Sequence, residues 1–540
     1  MSTSILFIEQ KYDILYLILY SYHTRRIKME QFADIILKSN CIFTAKDQEV
    51  IDGYVAIKGN RIIAVEKGEI PNEMIGKASK VICLKDKTVS PGFVDVHCFF
   101  TGYVVRFLGC DLSGCQDKES VFKQLDKYLE TSPKNYPLLA HELNVEISKE
   151  ELDERYKIPV ILFVEGCETC AMNQLAMDKY NFSPTRCWPE AYVKIFPYIL
   201  GNKEFIKPQF IEYMKMMNSN GITSIKEMGF DNFYSFTEVL DELEKENKLT
   251  CRVNFMSQPV DKEADFEYGV NMANRFHSEK LAFSGYNQMT DGSVSEYCAD
   301  IKKPYNNTDT CCKQEINWEK LKEDALKADK LGFRFSLHAQ GDAAIAKVVD
   351  IYEQCQKDAN GKLVNRHAIT DLEFSDPVDL ERMGKIGAIA EIYPQIQSLA
   401  NKADKLKMIE EKIGMERGKN YWNRKKMADS NVVISCGTDL PLLIDNIPES
   451  IYHACGGYFK DGGEPFNKEN MLNVYQIMKA WTYGGAYNLS REKVLGTLEV
   501  GKLADIAILS DNVFTKEIEN IKETKVYMTI VDGEIVYKGE

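Results

Sequence analysis

The sequence predicts an α/β fold, with a long middle of alternating strand and helix patterns held between two β-rich ends. Three observations carry this. From about 91 to 487, short apolar runs alternate with amphipathic helical stretches, as in a parallel α/β domain. Both flanks, from 33 to 89 and from 501 to 537, read as short strands broken by turn dipeptides. At the first junction, Ser90-Pro-Gly-Phe-Val-Asp-Val-His97-Cys98-Phe99 is a Pro-Gly break followed by a short apolar strand that delivers His97 at its end. In a parallel barrel the C-terminal strand ends build the active site, which makes His97 the first candidate metal ligand. Alternation along the strand turns Cys98 away from the centre.

At 540 residues the chain exceeds one ordinary domain and suits a barrel with insertions plus a small accessory domain. A net charge of −14 argues against nucleic acid or an anionic membrane as main partner, since both select a basic face. The 15 cysteines are odd in number and scattered, which reads as reduced thiols in the cytoplasm. Cys167-Glu-Thr-Cys170 has metal or redox spacing, but no second CxxC answers it. Residues 1–28 carry an apolar run, Ile14 to Tyr20, too short to span a membrane. Its flanking charges are in the wrong order for a signal peptide, and Met29 opens a natural-looking start. This segment is expected to be a disordered extension or a mis-assigned start.

In chain order, Gly53 to Val65 predicts a hairpin turning at Gly59-Asn60, and Asp532-Gly533 marks a second turn near the other end. The two β-rich ends, 29–90 and 488–540, can pair into one discontinuous sheet domain around the middle, 91–487. An insertion is expected at about 103–190, with helices near 118–129 and 148–155 and a buried strand at 158–165. Gly332 to Ala344 reads as a strand running into a helix, with His338 at the strand end and Asp342 placed to cap the helix.

The Pro-Gly-x-x-Asp-x-His stretch resembles the opening signature of the amidohydrolase superfamily, Pro-Gly-x-x-Asp-x-His-x-His, with Phe99 in place of the second histidine. Further segments resemble it in the expected order. His338-Ala-Gln-Gly-Asp342 matches His-x-x-Gly-Asp. Asn365-Arg-His367-Ala-Ile-Thr-Asp371, followed by Asp376-Pro377, resembles Arg-His-x-Ile-Glu-His, with Asp371 replacing the last histidine. Gly437-Thr-Asp439-Leu-Pro441 resembles the strand-8 segment, and Leu495 to Asp505 the closing Gly-x-Leu-x-x-Gly-x-x-Ala-Asp. Tyr286-Asn287-Gln-Met-Thr-Asp291-Gly-Ser293 resembles Val-Lys-x-Phe-x-Asp-Gly-Ser, which points to the amidohydrolase 3 branch that contains N-substituted formamide deformylases. There the lysine is expected to be carboxylated and to bridge two metals. Asn287 cannot form a carbamate.

The resemblance implies a TIM-like (β/α)8 barrel with a small discontinuous β-sandwich domain from both termini. It also implies a hydrolase acting on a C–N bond of a small amide, formamide or cyclic amide, with homodimerisation as a family expectation. The altered positions reduce the implied metal site to one divalent ion, zinc first, iron or manganese next, held by His97, His338, Asp371 and Asp439. Asp439 and His338 are the candidate catalytic residues, with Asp439 as proton shuttle. Phe99, Asn287 and Asp291 are expected to line the substrate pocket. His367, four residues before Asp371, reads as structural. The alternative is an inactive ligand-binding or regulatory protein on the same scaffold. A third reading, a different reaction such as an isomerisation, a lyase step or thiol-dependent chemistry at Cys98, ranks last because the strand turns that side chain away.

Overall fold

A computed structural model describes residues 32–106, 108–132, 137–164, 169–181, 183–184, 194–231, 234–259, 263–442 and 446–539. The extension at 1–28, and Cys167 and Glu168 of the CxxC motif, lie outside the described residues.

Eight strands form the central sheet: β1 (Phe93–Cys98), β2 (Ile222–Glu227), β3 (Arg252–Ser257), β4 (Leu281–Met289), β5 (Phe335–Ala339), β6 (Ala368–Asp371), β7 (Ile389–Ile392) and β8 (Val433–Cys436). They are hydrogen-bonded in that order, and every neighbouring pair is parallel. Six of the eight are buried at every residue, as strands covered on both faces must be. The ring closes between β8 and β1 just past the strand ends. There Asp439 N–H donates to His97 O (2.8 Å) and Phe99 N–H donates to Leu440 O (3.0 Å). The motif aspartate, Asp95, sews the same seam. Its fully buried carboxylate accepts from Thr438 N–H (3.0 Å), the Thr438 hydroxyl and His97 N–H (3.1 Å).

Local chemistry sets the connections. Asp376 caps the helix Pro377–Ile386 by accepting from Val378 N–H (2.9 Å), Pro377 opens its first turn, and Gly387 ends it at φ +75°. After β5 the N-cap is Gly341, not Asp342 as the sequence suggested; Asp342 sits inside the helix and accepts from Lys302 N–H (2.8 Å). A side chain at 341 would put its Cβ 2.1 Å from Asp300 O, so only glycine fits there.

Both flanks meet in a second sheet. Ala33–Phe43, Val50–Lys58, Arg61–Lys67 and Ile75–Pro91 come from one end, and Ile506–Leu509, Val526–Val531 and Glu534–Lys538 from the other. The join is antiparallel, with Ile506 opposite Pro91 and Ile508 opposite Val89. Asp532 (φ +56°) and Gly533 (φ +80°) form the anticipated hairpin turn. Arg252 of β3 fastens this sheet to the barrel. Its buried guanidinium donates to both Asp505 oxygens (2.7 and 2.9 Å) and to Asp532 (3.0 Å). Between β1 and β2 stands a four-stranded sheet, Cys110–Asp111, Leu138–Leu143, Val160–Val164 and Cys170–Met172, with an apolar core of its own. Among the described residues, no helix is long and apolar enough to cross a membrane.

Candidate metal and substrate site

His97, His338, Asp371 and Asp439 all open onto one cavity of about 420 Å³. Each stands at or just past the C-terminal end of its strand, β1, β5, β6 and β8. They gather as two pairs. His97 Nε2 lies 3.8 Å from Asp439 Oδ1, and His338 Nε2 lies 3.1 Å from Asp371 Oδ2. Asp371 and Asp439 both adopt left-handed backbone, at φ +81° and +53°, a sparsely populated conformation for residues with a side chain. Glycine makes the β8 end possible: a Cβ at Gly437 would fall 2.6 Å from the Cβ of His97.

Burial disfavours a charge on His338, but the contact with Asp371 outweighs it and, with Asp291 and Asp439, raises its pKa. Burial pushes Asp439 above the ordinary carboxylate range, and the Asp371 charge adds to this. Gln340 donates to Asp371 Oδ2 (2.6 Å). Asp371 Oδ1 and His338 Nδ1 are buried with no hydrogen-bond partner. Two donors about 2 Å from one ion can stand up to roughly 4 Å apart, so each pair has the bite of a single metal ion. In the second pair the two facing atoms are hydrogen-bonded to each other, so an ion between them would replace that bond.

Of the three expected pocket residues, Phe99 lines the cavity, its ring 5.4 Å from that of His97. Asn287 stands behind the wall. It is fully buried and donates to Gln258 Oε1 (3.0 Å), and it is Gln258 that reaches the cavity. Asp291 also stands behind, because its carboxylate accepts from Asp300 N–H (2.8 Å), Gln340 N–H (2.9 Å) and Gly341 N–H (2.9 Å) and so anchors the loop after β4. Met289, Ser293, Gln340 and Glu373 add to the wall, and segments between β7 and β8 and beyond supply its apolar part. Tyr393, Ile396, Leu399, Trp422 and Phe459 make it apolar, and Lys405, 3.4 Å from Glu373, supplies one cation.

Cys98 turns away from the cavity towards Glu227, and burial pushes its thiol well above the ordinary range, so it is not poised as a nucleophile. Among the described residues, one trio of potential ligands has its donor atoms mutually within 4.8 Å: Asp329, Cys355 and His367. Its hydrogen bonds argue against metal. His367 Nδ1 accepts from Phe335 N–H (3.0 Å), which leaves the ring proton on Nε2, donated to Asp329 (2.9 Å). His367 therefore has no free lone pair.

Sequence reasoning missed a charged layer beneath the site. Lys226 of β2 and Glu391 of β7, both fully buried, form an ion pair, and Asn488 donates to the same Glu391 oxygen (2.9 Å). Glu391 is held far below its ordinary value: burial opposes ionisation, and the Lys226 charge overrides it. A charge inside a four-residue apolar strand, Ile389-Ala-Glu391-Ile392, is the signal that would have found it.

The architecture has clear counterparts. An uncharacterized metal-dependent hydrolase from Pyrococcus horikoshii superposes with a TM-score of 0.71 at 19% identity, over 90% of this chain and 99% of that one. In sequence, the chain is 22% identical to Protein LONG AFTER FAR-RED 3 of Arabidopsis thaliana, across 94% of this chain and 92% of the relative. It is 21% identical to putative amidohydrolase YtcJ of Bacillus subtilis, across 85% and 90%. Residues 207–537, from before β2 to the last strand of the small sheet, match the family model itself: the chain belongs to the amidohydrolase family.

Proposed function

We propose that this protein is a metal-dependent hydrolase that cleaves a C–N bond of a small amide, formamide or cyclic amide at a single divalent ion, zinc first and iron or manganese next. One observation carries the reading: two histidines and two carboxylates, arranged as two ion-sized pairs, face one partly apolar cavity at the C-terminal end of the barrel. Family membership supports a hydrolase.

His97, His338, Asp371 and Asp439 would hold the ion, the two pairs drawing together on it. When bound, it supplies Lewis acidity, polarising a carbonyl and bringing the pKa of water near 7. The chain's own residues do the rest. Asp439, which faces the cavity beside His97, accepts the proton of the attacking water and delivers it to the leaving nitrogen. His338 would act in catalysis as a neutral ligand of the ion and not as a cation, since a protonated imidazole has no lone pair to give. Phe99, Tyr393, Trp422 and Phe459 exclude water from the substrate's apolar part.

Plasma mass spectrometry on protein purified without chelator or nickel tests this. Near one zinc or iron per chain is expected, lost in His338→Ala and kept in Asp439→Asn, with turnover of a screened amide abolished in both. No metal after reconstitution with zinc, iron and manganese would sink the reading. It would favour a ligand-binding protein, for which the separation of the two pairs is the specific support: among the described residues, no three of the four bring donor atoms within 4.8 Å of one another.

A further inference from the structure

The buried layer under His97 calls for an explanation. Barrel interiors are ordinarily filled by branched apolar side chains, and replacing a buried ion pair by apolar residues is often neutral or stabilising. Lys226 and Glu391 are nevertheless both at 0% side-chain exposure, joined across the interior from β2 to β7. Lys226 and Asn488 both address Glu391 Oε1. That leaves Oε2, which faces His97 Nδ1 at 3.5 Å. Asn488 is itself fixed: Arg334, the residue before β5, donates to its Oδ1 (2.6 Å) and to its backbone oxygen, Lys226 donates to its Oδ1 (3.0 Å), and its amide reaches Ser435 of β8 (3.0 Å). Residues of β2, β7 and β8, with Arg334 just ahead of β5 and Asn488 beyond the barrel strands, thus hold one carboxylate oxygen in place. The opposite ring nitrogen, Nε2, points to Asp439 and the cavity.

We infer that Glu391, locked by Lys226 and Asn488, is a positioning residue that keeps the His97 proton on Nδ1 and so presents the Nε2 lone pair to the cavity. A carboxylate behind a ligating histidine fixes the tautomer and the ring orientation and raises ligand basicity. Phe99 (5.4 Å) and Tyr393 (5.2 Å) pack against the ring, but aromatic contacts do not choose between nitrogens. The ionic layer does. The inference rests on His97 being a ligand as proposed above, but its first readout does not depend on metal.

The chain has seven histidines, few enough for two-bond ¹H–¹⁵N correlation on ¹⁵N-histidine-labelled protein. The His97 signals are identified by their loss in His97→Asn. The neutral Nδ1–H tautomer is expected in the metal-free wild type. In the double variant Lys226→Met/Glu391→Leu, which removes both charges together, the Nε2–H form should appear, and zinc affinity by chelator competition should fall roughly 10- to 100-fold. An Nε2–H tautomer in the wild type overturns the inference whether or not any variant folds. So does an unchanged tautomer and zinc affinity in a folded double variant. The Nδ1–H form in a wild-type protein that binds no zinc would uphold the orientation of His97 and defeat the hydrolase reading instead.

Discussion

Replacing Glu227 by glutamine should remove a pH-dependent weakness from the barrel. Glu227 closes β2 with its side chain fully buried, accepting from Phe100 N–H (2.8 Å) and facing the Cys98 thiol (3.5 Å). Burial raises its pKa from the ordinary 4.5 to about 8. Below pH 4.5 both folded and unfolded chains hold the proton, and the group is neutral towards stability. Between 4.5 and 8 only the folded chain holds it, so unfolding releases a proton and wild-type stability falls as pH rises. Above 8 both forms are ionised and the loss levels off. At about 1.4 kcal/mol per pH unit, the full fall is about 5 kcal/mol. Glu227→Gln keeps an acceptor for Phe100 and has no proton to lose. The assay is the urea midpoint of both proteins at half-unit steps from pH 5 to 9. The midpoint of the variant should gain on that of the wild type up to pH 8 and then hold a constant lead. Parallel curves across the whole range would refute the buried-proton reasoning.

Three further outcomes follow from the geometry. Gly437→Ala forces a Cβ to within 2.6 Å of His97 and should cost about 1–3 kcal/mol, read as a lower denaturation midpoint together with lost metal; a wild-type midpoint would mean the β8 end yields freely. Arg252→Ala strands the Asp505 and Asp532 carboxylates, at about 3–5 kcal/mol, and should speed proteolysis within 501–537; an unchanged cleavage rate would show that the bolt is dispensable. Asp371→Asn withdraws the charge that favours protonated His338, so the His338 pKa, followed by NMR in metal-free protein, should drop; an unmoved value would place the cause elsewhere.

The fold was legible because it is written in local signals at strand ends. Pro91-Gly92 before β1, Gln340-Gly341 after β5, Asp376-Pro377 after β6 and Gly437-Thr438 after β8 each do a nameable job in the backbone. The helix start at Asp342 was misjudged by one residue because a competing donor, Lys302 N–H, claims its carboxylate from 40 residues away. The candidate ligands were legible as strand-end residues, but their grouping into two pairs was not, since it depends on side-chain reach across the barrel mouth. Asn287 and Asp291 occupy motif positions yet stand behind the wall, a matter of which neighbour, Gln258 or the Gln340-Gly341 turn, takes their hydrogen bonds. Lys226 and Glu391 are 165 residues apart, and nothing local announces that they meet.

The antiparallel join at Pro91 and Ile506 also has a consequence in time. On a ribosome adding about 5–20 residues per second, the partner segment emerges some 20 seconds to more than a minute after the strand it completes. Through that interval Ile75–Pro91 carries an open edge, the kind of surface on which nascent chains associate wrongly. The strand carries its own protection. Lys77, Lys80, Lys85, Asp86 and Lys87 place charge along it, and Pro91 offers no N–H to a stray neighbour. Only the short stretch from Val89 to Pro91 waits uncharged for Ile506 to Ile508, and it leads directly into the strand that carries His97.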